Sequence, residues 1–206
     1  MPALETSRLV IRPFCMDDLH PIHHLFDVEL RQVDLGTVGA QTLHERAEWL
    51  QWTVLSYTQL AKLYQPPYGE RAVIQKHTQR LIGACGFVPC LDVFEQCPGF
   101  SPALHPSQHW LTTAEFGLFY AITPTWQGQG YATEAARALV DYAFQHLRLK
   151  RIIATTTYAN AASMGVMRKL GMHLERNPYP EPPWLQVVGV LEHDASKDGT
   201  MLSAPA

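Results

Sequence analysis

Apolar and polar positions alternate over residues 7–14, with Leu9 and Ile11 on one side, which predicts a short strand ending at Pro13. The period then changes. Leu19, Ile22, His23, Phe26 and Leu30 recur at spacings of three and four, predicting a helix that Asp17 can cap. A second helix is predicted from Thr42, where Thr42 and Glu45 form a T-x-x-E capping box, through Leu43, Ala47, Leu50, Val54, Tyr57 and Ala61 until Pro66 and Pro67 stop it. Residues 71–75 and 81–88 are β-type runs separated by the polar KHTQR stretch, which predicts an antiparallel hairpin. Residues 89–110 then turn irregular, rich in Pro, Cys and His, and such an insert reads either as a functional or interface segment or as a surface loop.

The run EFGLFYAIT, residues 115–123, is nearly continuous in apolar residues and predicts a central strand that Pro124 ends. The clearest helix follows over residues 129–147, where Ala132, Ala135, Ala136, Leu139, Val140, Ala143, Phe144 and Leu147 keep the three-four rhythm. Glu134 stands near its start and His146, Arg148 and Lys150 near its end, as the helix dipole favours. RIIATTTY, residues 151–158, predicts a strand, Asn160 starts a short helix that Gly171 closes, and residues 172–175 and 185–192 predict two last strands around the loop NPYPEPPW. The order β-α-α-β-β-β-α-β-α-β-β predicts a mixed α/β fold, one sheet with helices on both faces. No composition break divides it, so residues 1–194 are expected to form one domain and the small, polar residues 195–206 a disordered tail.

Composition narrows the function classes. With 16 basic and 19 acidic residues, net charge −3, the chain lacks the uniform positive field that nonspecific nucleic-acid binding uses. No run approaches the roughly 18 apolar residues of a membrane span, and the opening MPALETSRLV has no signal-peptide pattern, so a cytoplasmic protein without a membrane partner is expected. Cys15, Cys85, Cys90 and Cys97 form no C-x-x-C pair, so neither a metal site nor a disulfide framework is expected. His20, His23 and His24 read as exposed histidines, since no third ligand accompanies them.

The chemistry lies in PTWQGQGYATEA, between a strand end and the N-terminus of the strongest helix. Gly128 and Gly130 let the backbone turn tightly, and the free N–H groups of the first helical turn point outward with the positive dipole end behind them. That arrangement suits a pyrophosphate and needs no lysine. A Walker A loop is excluded because no G-K-[ST] follows, and a dinucleotide fingerprint is poor because Thr133 stands where its third glycine or alanine belongs. Taken alone, the segment could also be a glycine turn feeding an ordinary helix.

Gln127-x-x-Gly130-x-Ala132 resembles the Q/R-x-x-G-x-G/A signature of the GNAT (GCN5-related N-acetyltransferase) superfamily. The following GYATEAARALVDYAF, the pattern of Asn160, Ala162, Ser163, Val166, Lys169, Leu170 and Gly171, and the opening LETSRLVIRPF resemble the branch containing the ribosomal-protein N-terminal acetyltransferases. The resemblance spans residues 4–192. It implies a mostly antiparallel mixed sheet splayed at the cofactor site and acetyl-CoA as cofactor. It implies that Gln127, Gly128, Gln129, Gly130, Tyr131, Ala132 and Thr133 hold the pyrophosphate and that backbone groups of Tyr120 and Ile122 pair with the pantetheine arm. Asn160 would contact that arm, or serve as a plain helix cap, or both.

For catalysis the resemblance implies Glu115, in the A-E-x-G run, as general base and Ser163 as general acid. Glu115 stands two residues earlier than the family register, roughly 7 Å along a strand, and reads equally as a strand-end charge. Ser163 reads equally as a small residue on a packed helix. Gln129 replaces the Lys or Arg often found there, and Gly165 inside the short helix suggests a close approach to cofactor or strand. Trp49 and Trp52 are expected in the core or at a homodimer contact. Trp184 is expected to line the acceptor pocket, and substrate choice is expected in the insert and the PEPPW loop. The implied activity is acetyl transfer from acetyl-CoA to a primary amine, at a protein N-terminus or on a small molecule such as an amino acid, polyamine or antibiotic. A non-catalytic acyl-CoA-binding sensor is the alternative of a different class.

Overall fold

The computed structural model describes residues 1–33, 39–100 and 110–194. Its strands are β1 (Leu4–Glu5), β2 (Leu9–Arg12), β3 (Gly69–Gln75), β4 (Arg80–Asp92), β5 (Thr113–Ile122), β6 (Arg151–Thr156), β7 (His173–Arg176) and β8 (Val187–Glu192). They form one sheet in the order β1-β2-β3-β4-β5-β6-β8-β7. All neighbours pair antiparallel except β5 and β6, which run parallel. The helices are α1 (Leu19–His23), α2 (Leu43–Lys62), α3 (Tyr131–Gln145) and α4 (Ala161–Leu170).

Strand alternation sorts the core into two layers. Leu9, Ile11, Val73, Ile82, Phe87, Leu118 and Ile122 point to the face covered by α3 and α4, where Ala135, Leu139, Ala143, Met167 and Leu170 meet them. Ala72, Ile74, Ala84 and Ala121 point to the opposite face and pack against Ile22, Leu25, Phe26, Leu30 and Leu50 of the α1–α2 layer. The mixed α/β sheet with helices on both faces is therefore present.

The first helical region is less regular than its spacing predicts. A 3₁₀ turn (Met16–Asp18) leads into α1, which loosens into a π-helix (His24–Glu29) closed by the Leu30 amide donating to the Leu25 carbonyl at 3.0 Å. Asp18 rather than Asp17 organises its start, because Asp18 accepts from the Cys15 amide at 2.9 Å and from both terminal nitrogens of Arg12. The Thr42–Glu45 capping box is formed. The buried stripe of α2 is centred on Arg46, Leu50 and Thr53, whereas Leu43 is exposed. Arg46 displaces the expected apolar register because Asp27 receives its guanidinium.

The irregular insert is shorter than the composition suggests. β4 continues to Asp92, and a 3₁₀ turn (Phe94–Gln96) buries Phe94 and Cys97 against Ile153, Leu185 and Val188. Buried Asn177 donates to Gln96 at 2.6 Å, tying this lobe to the loop between β7 and β8. Residues 101–109 of the insert and the tail expected over 195–206 lie outside the described residues.

Candidate active site

β5 and β6 share one ladder position, Gly117 opposite Ile153. Residues 118–122 keep their β4 partners, from Phe87↔Leu118 to Gly83↔Ile122, but have none on β6 among the described residues. The strands thus part on the C-terminal side of Gly117, leaving one edge of β5 free to pair with an extended ligand. At the closed end, the Glu115 carboxylate receives Nε of Arg151 at 2.8 Å and its Nη2 as well, a forked pair bracing β5 to β6.

The open end of β5 leads into the glycine loop. Gly128 and Gly130 adopt φ +73° and +86°, left-handed backbone that other residues adopt at a cost. Gly130 is the N-cap of α3 and supplies no capping side chain, while the first intrahelical bond, Glu134 amide to Gly130 carbonyl, measures 3.0 Å. The Tyr131, Ala132 and Thr133 amides precede that bond, so they have no intrahelical acceptor. A Cβ at Gly128 would meet no protein atom within 4 Å, so the cradle is open. These features fit an anionic group such as a pyrophosphate. Beside the loop lies a cleft of about 780 Å³, bordered by Thr123, Thr125, Trp126 and Gln129.

The loop is held from both sides. Gln127 donates its side-chain amide to the Ile122 carbonyl at 2.7 Å, closing the strand end. Arg8 donates to the Gln129 carbonyl at 3.1 Å and to Glu134 at 2.6 Å, with its guanidinium 4.2 Å from the Tyr131 ring centre. Thr6 also donates to Glu134, at 2.6 Å. Burial alone would raise the Glu134 carboxyl, but the bonds from Thr6 and Arg8 outweigh it and hold it below its usual value. The sequence marks Glu134 only as a helix-dipole residue and does not single out Arg8, whose guanidinium braces the loop at the Gln129 carbonyl while Glu134 balances its charge. Only the SRLVIR pattern near the start of the chain hinted at it.

Tyr120 faces the α3–α4 side, where its hydroxyl shares a 2.8 Å hydrogen bond with Ser163 Oγ and donates to the Ser163 carbonyl at 3.2 Å. Burial pushes its phenol above the ordinary value, against the opposing pull of Ser163, so it remains a proton donor at neutral pH. Asn160 caps α4 by accepting from the Ser163 amide at 3.0 Å, and Gly171 ends that helix at φ +90°. Ser163 is therefore fixed by its backbone and its side chain together. Gly165 makes no close approach to protein: a Cβ there would meet nothing within 4 Å.

The described parts of the PEPPW loop and of the insert, expected on the acceptor side, are each anchored to the sheet. Trp184 donates to Asp92 at 2.6 Å, pinning the PEPPW loop to the far end of β4, and lines neither described cavity. Trp49 packs edge-on against Phe14 and Phe26, each at 5.8 Å, while Trp52 is exposed. The two described cavities border the α1–α2 layer, and the residues of the insert up to Phe100 pack with Ile153, Leu185 and Val188.

Known proteins agree with this geometry. The 44% identity to the N-acetyltransferase YnaD of Bacillus subtilis (strain 168) is local, over 63 residues, covering 31% of this chain and 36% of that protein. Spermidine N(1)-acetyltransferase of Escherichia coli (strain K12) is 37% identical over 180 residues, covering 85% of this chain and 77% of that protein. The structure of the ribosomal L7/L12 alpha-N-protein acetyltransferase RimL in complex with coenzyme A superposes with a TM-score of 0.66 at 14% identity, covering 94% of this chain and 99% of that one, a likeness of fold. The family model of the acetyltransferase (GNAT) domain matches residues 8–173. With the splayed parallel pair and the uncapped glycine loop, that match makes this chain a member of the GNAT acetyltransferase family.

Proposed function

We propose that the protein transfers the acetyl group of acetyl-CoA directly to a primary amine, with a small-molecule amine as acceptor. The observation that carries this reading is the free β5 edge running into the uncapped N-terminus of α3. When bound, acetyl-CoA supplies a thioester open to attack by an unprotonated amine. Residues 127–133 hold the pyrophosphate through backbone amides, and the β5 edge at Tyr120 and Ile122 orients the pantetheine arm. Tyr120 and Ser163 keep a proton at the first turn of α4, available to the departing sulfur. Glu115 serves as a strut, because both its oxygens are engaged by Arg151.

Direct transfer is supported by the thiols of the central strand β4. Burial pushes Cys85 up to about 12 and Cys90 up to about 11, so both stay protonated and poorly nucleophilic. A small amine is favoured by the likeness to the spermidine N(1)-acetyltransferase, which covers most of both chains.

The test is release of CoA from acetyl-CoA in the presence of a panel of amines and peptides, with CoA binding measured by calorimetry. Amine-dependent release is expected. Tight CoA binding without release on any acceptor would establish a sensor instead. Ser163→Ala should lower kcat by about 100-fold with little change in CoA affinity, in the range of a general acid. Tyr120→Phe should have a smaller effect in the same direction.

A further inference from the structure

Glu134 stands in the first turn of α3, the helix whose free amides make the anion cradle. The dipole field that favours a carboxylate there also favours a bound pyrophosphate, so the two negative groups oppose one another. The fold directs this carboxylate toward the turn before β2 and saturates it. Its Oε1 receives the Thr6 hydroxyl at 2.6 Å, the Ser7 hydroxyl at 3.2 Å and the Arg8 amide at 3.0 Å. Its Oε2 receives Nε and Nη2 of the Arg8 guanidinium, each at 2.6 Å. The Glu134 side chain is left 16% exposed.

The turn that holds Glu134 is itself anchored. The Thr6 amide donates to the Leu9 carbonyl at 3.0 Å, and the Leu9 amide to Thr6 Oγ1 at 2.9 Å. Lys76 donates from its backbone to the Arg8 carbonyl at 2.9 Å and from its ammonium to the Thr6 carbonyl at 2.7 Å. Glu5 and Lys76 pair with each other at 2.9 Å, so Arg8 and Glu134 are left as a neutral pair beside the glycine loop. Arg8 also grips the loop backbone. Its Nη1 donates to the Gln129 carbonyl at 3.1 Å, and because a trans peptide sets its carbonyl and N–H on opposite sides, the Gly130 N–H points away from Arg8.

Charge decides what Arg8 does for the cofactor. Without its guanidinium, Glu134 keeps the hydroxyls of Thr6 and Ser7 but loses its counter-ion, which leaves one net negative charge in the turn where the pyrophosphate is to bind. A point charge would balance Glu134 without fixing the loop, whereas the planar fork of Arg8 does both. Resting on the acetyl-CoA reading above, we infer that Arg8 is a positioning residue for the pyrophosphate, acting through Glu134 and the Gln129 carbonyl rather than by touching the phosphates. Each of its three guanidinium nitrogens is already engaged by one of those two groups. An acyl donor without a pyrophosphate gains nothing from it.

The test measures CoA affinity by calorimetry for wild type, Arg8→Gln, Glu134→Gln and the double variant. It also compares acetyl-CoA with acetylpantetheine, which carries the thioester but no pyrophosphate, on an amine that wild type acetylates. Arg8→Gln should weaken CoA binding by about tenfold, the effect of one charge at a partly buried helix N-terminus. Glu134→Gln alone should tighten it, because Arg8 then keeps its charge. In the double variant, affinity should return to within about threefold of wild type, the remainder being the lost contact to the Gln129 carbonyl. Arg8→Lys, which keeps the charge without the fork, should fall between wild type and Arg8→Gln. KM for acetyl-CoA should follow these affinities while kcat stays within about twofold, and kcat/KM for acetylpantetheine should be alike in all forms. Arg8→Gln without loss of affinity, a loss that Glu134→Gln does not relieve, or an equal loss with acetylpantetheine would overturn the inference, the second result marking Arg8 as a direct phosphate ligand. Failure of wild type to bind CoA would overturn the acetyl-CoA reading and this inference with it.

Discussion

Asp27→Ala removes one half of a buried ion pair. The Asp27 side chain is 2% exposed and that of Arg46 5%. Asp27 accepts from Arg46 Nε and Nη2 and from the Gln41 amide, each at 2.8 Å. Truncation leaves a guanidinium buried among Phe26 and Trp49 without its counter-ion, a change that costs about 3–5 kcal/mol. Domains are stable by about 5–15 kcal/mol, and at this size each kcal/mol moves Tm by about 2–4 °C, so a fall of roughly 6–20 °C is expected. Replacing both partners, Asp27→Leu with Arg46→Met, should recover most of it, because no charge is then stranded.

The pH dependence follows from the same contacts. Burial alone would raise the Asp27 carboxyl, but Arg46 and the Gln41 amide outweigh it and hold it below its usual value. A lowered folded pKa means that the contribution is complete above the unfolded value of about 4 and is lost as pH falls through the folded one. Urea unfolding at a series of pH values, read by tryptophan fluorescence, checks both points. A loss under about 1 kcal/mol at neutral pH, or a gap between wild type and variant that already narrows between about pH 6 and 5, would refute this account of the pair.

Three further substitutions probe the site. Gly130→Ala places a side chain at φ +86°, where ordinary residues are disfavoured by about 1–2 kcal/mol; CoA affinity should fall about tenfold by calorimetry, and unchanged affinity would separate the loop from the cofactor. Gly165→Ala should raise apo stability by about 1 kcal/mol, since the added Cβ meets no protein atom within 4 Å; a lower Tm would contradict it. Glu115→Gln should destabilise by about 1–3 kcal/mol through Arg151 and lower kcat by less than about tenfold; loss of turnover in a folded variant would return Glu115 to the role of base.

The readable parts of the chain were those decided within a few residues. The Thr42–Glu45 box, the α3 rhythm, the left-handed Gly171 closing α4 and the Asn160 cap are local hydrogen-bonding or periodicity facts, and each is realised where the residues indicate. The glycine loop is equally local, since positive φ and uncapped amides follow from the residue types and their place before a helix. Spacing misled where long-range partners overrode it: Arg46 occupies an apolar register because Asp27, nineteen residues earlier, receives it.

The working contacts of the site join residues far apart in sequence. Tyr120 meets Ser163 across 43 positions, Glu115 meets Arg151 across 36, and Arg8 meets Glu134 across 126. The sequence by itself therefore determined most of the elements, the glycine loop and the family, through backbone conformation and local pairing. Only the tertiary structure decided which carboxylates are braced by an arginine, because an ion pair depends on where the fold brings a second charge, and no local pattern encodes that distance.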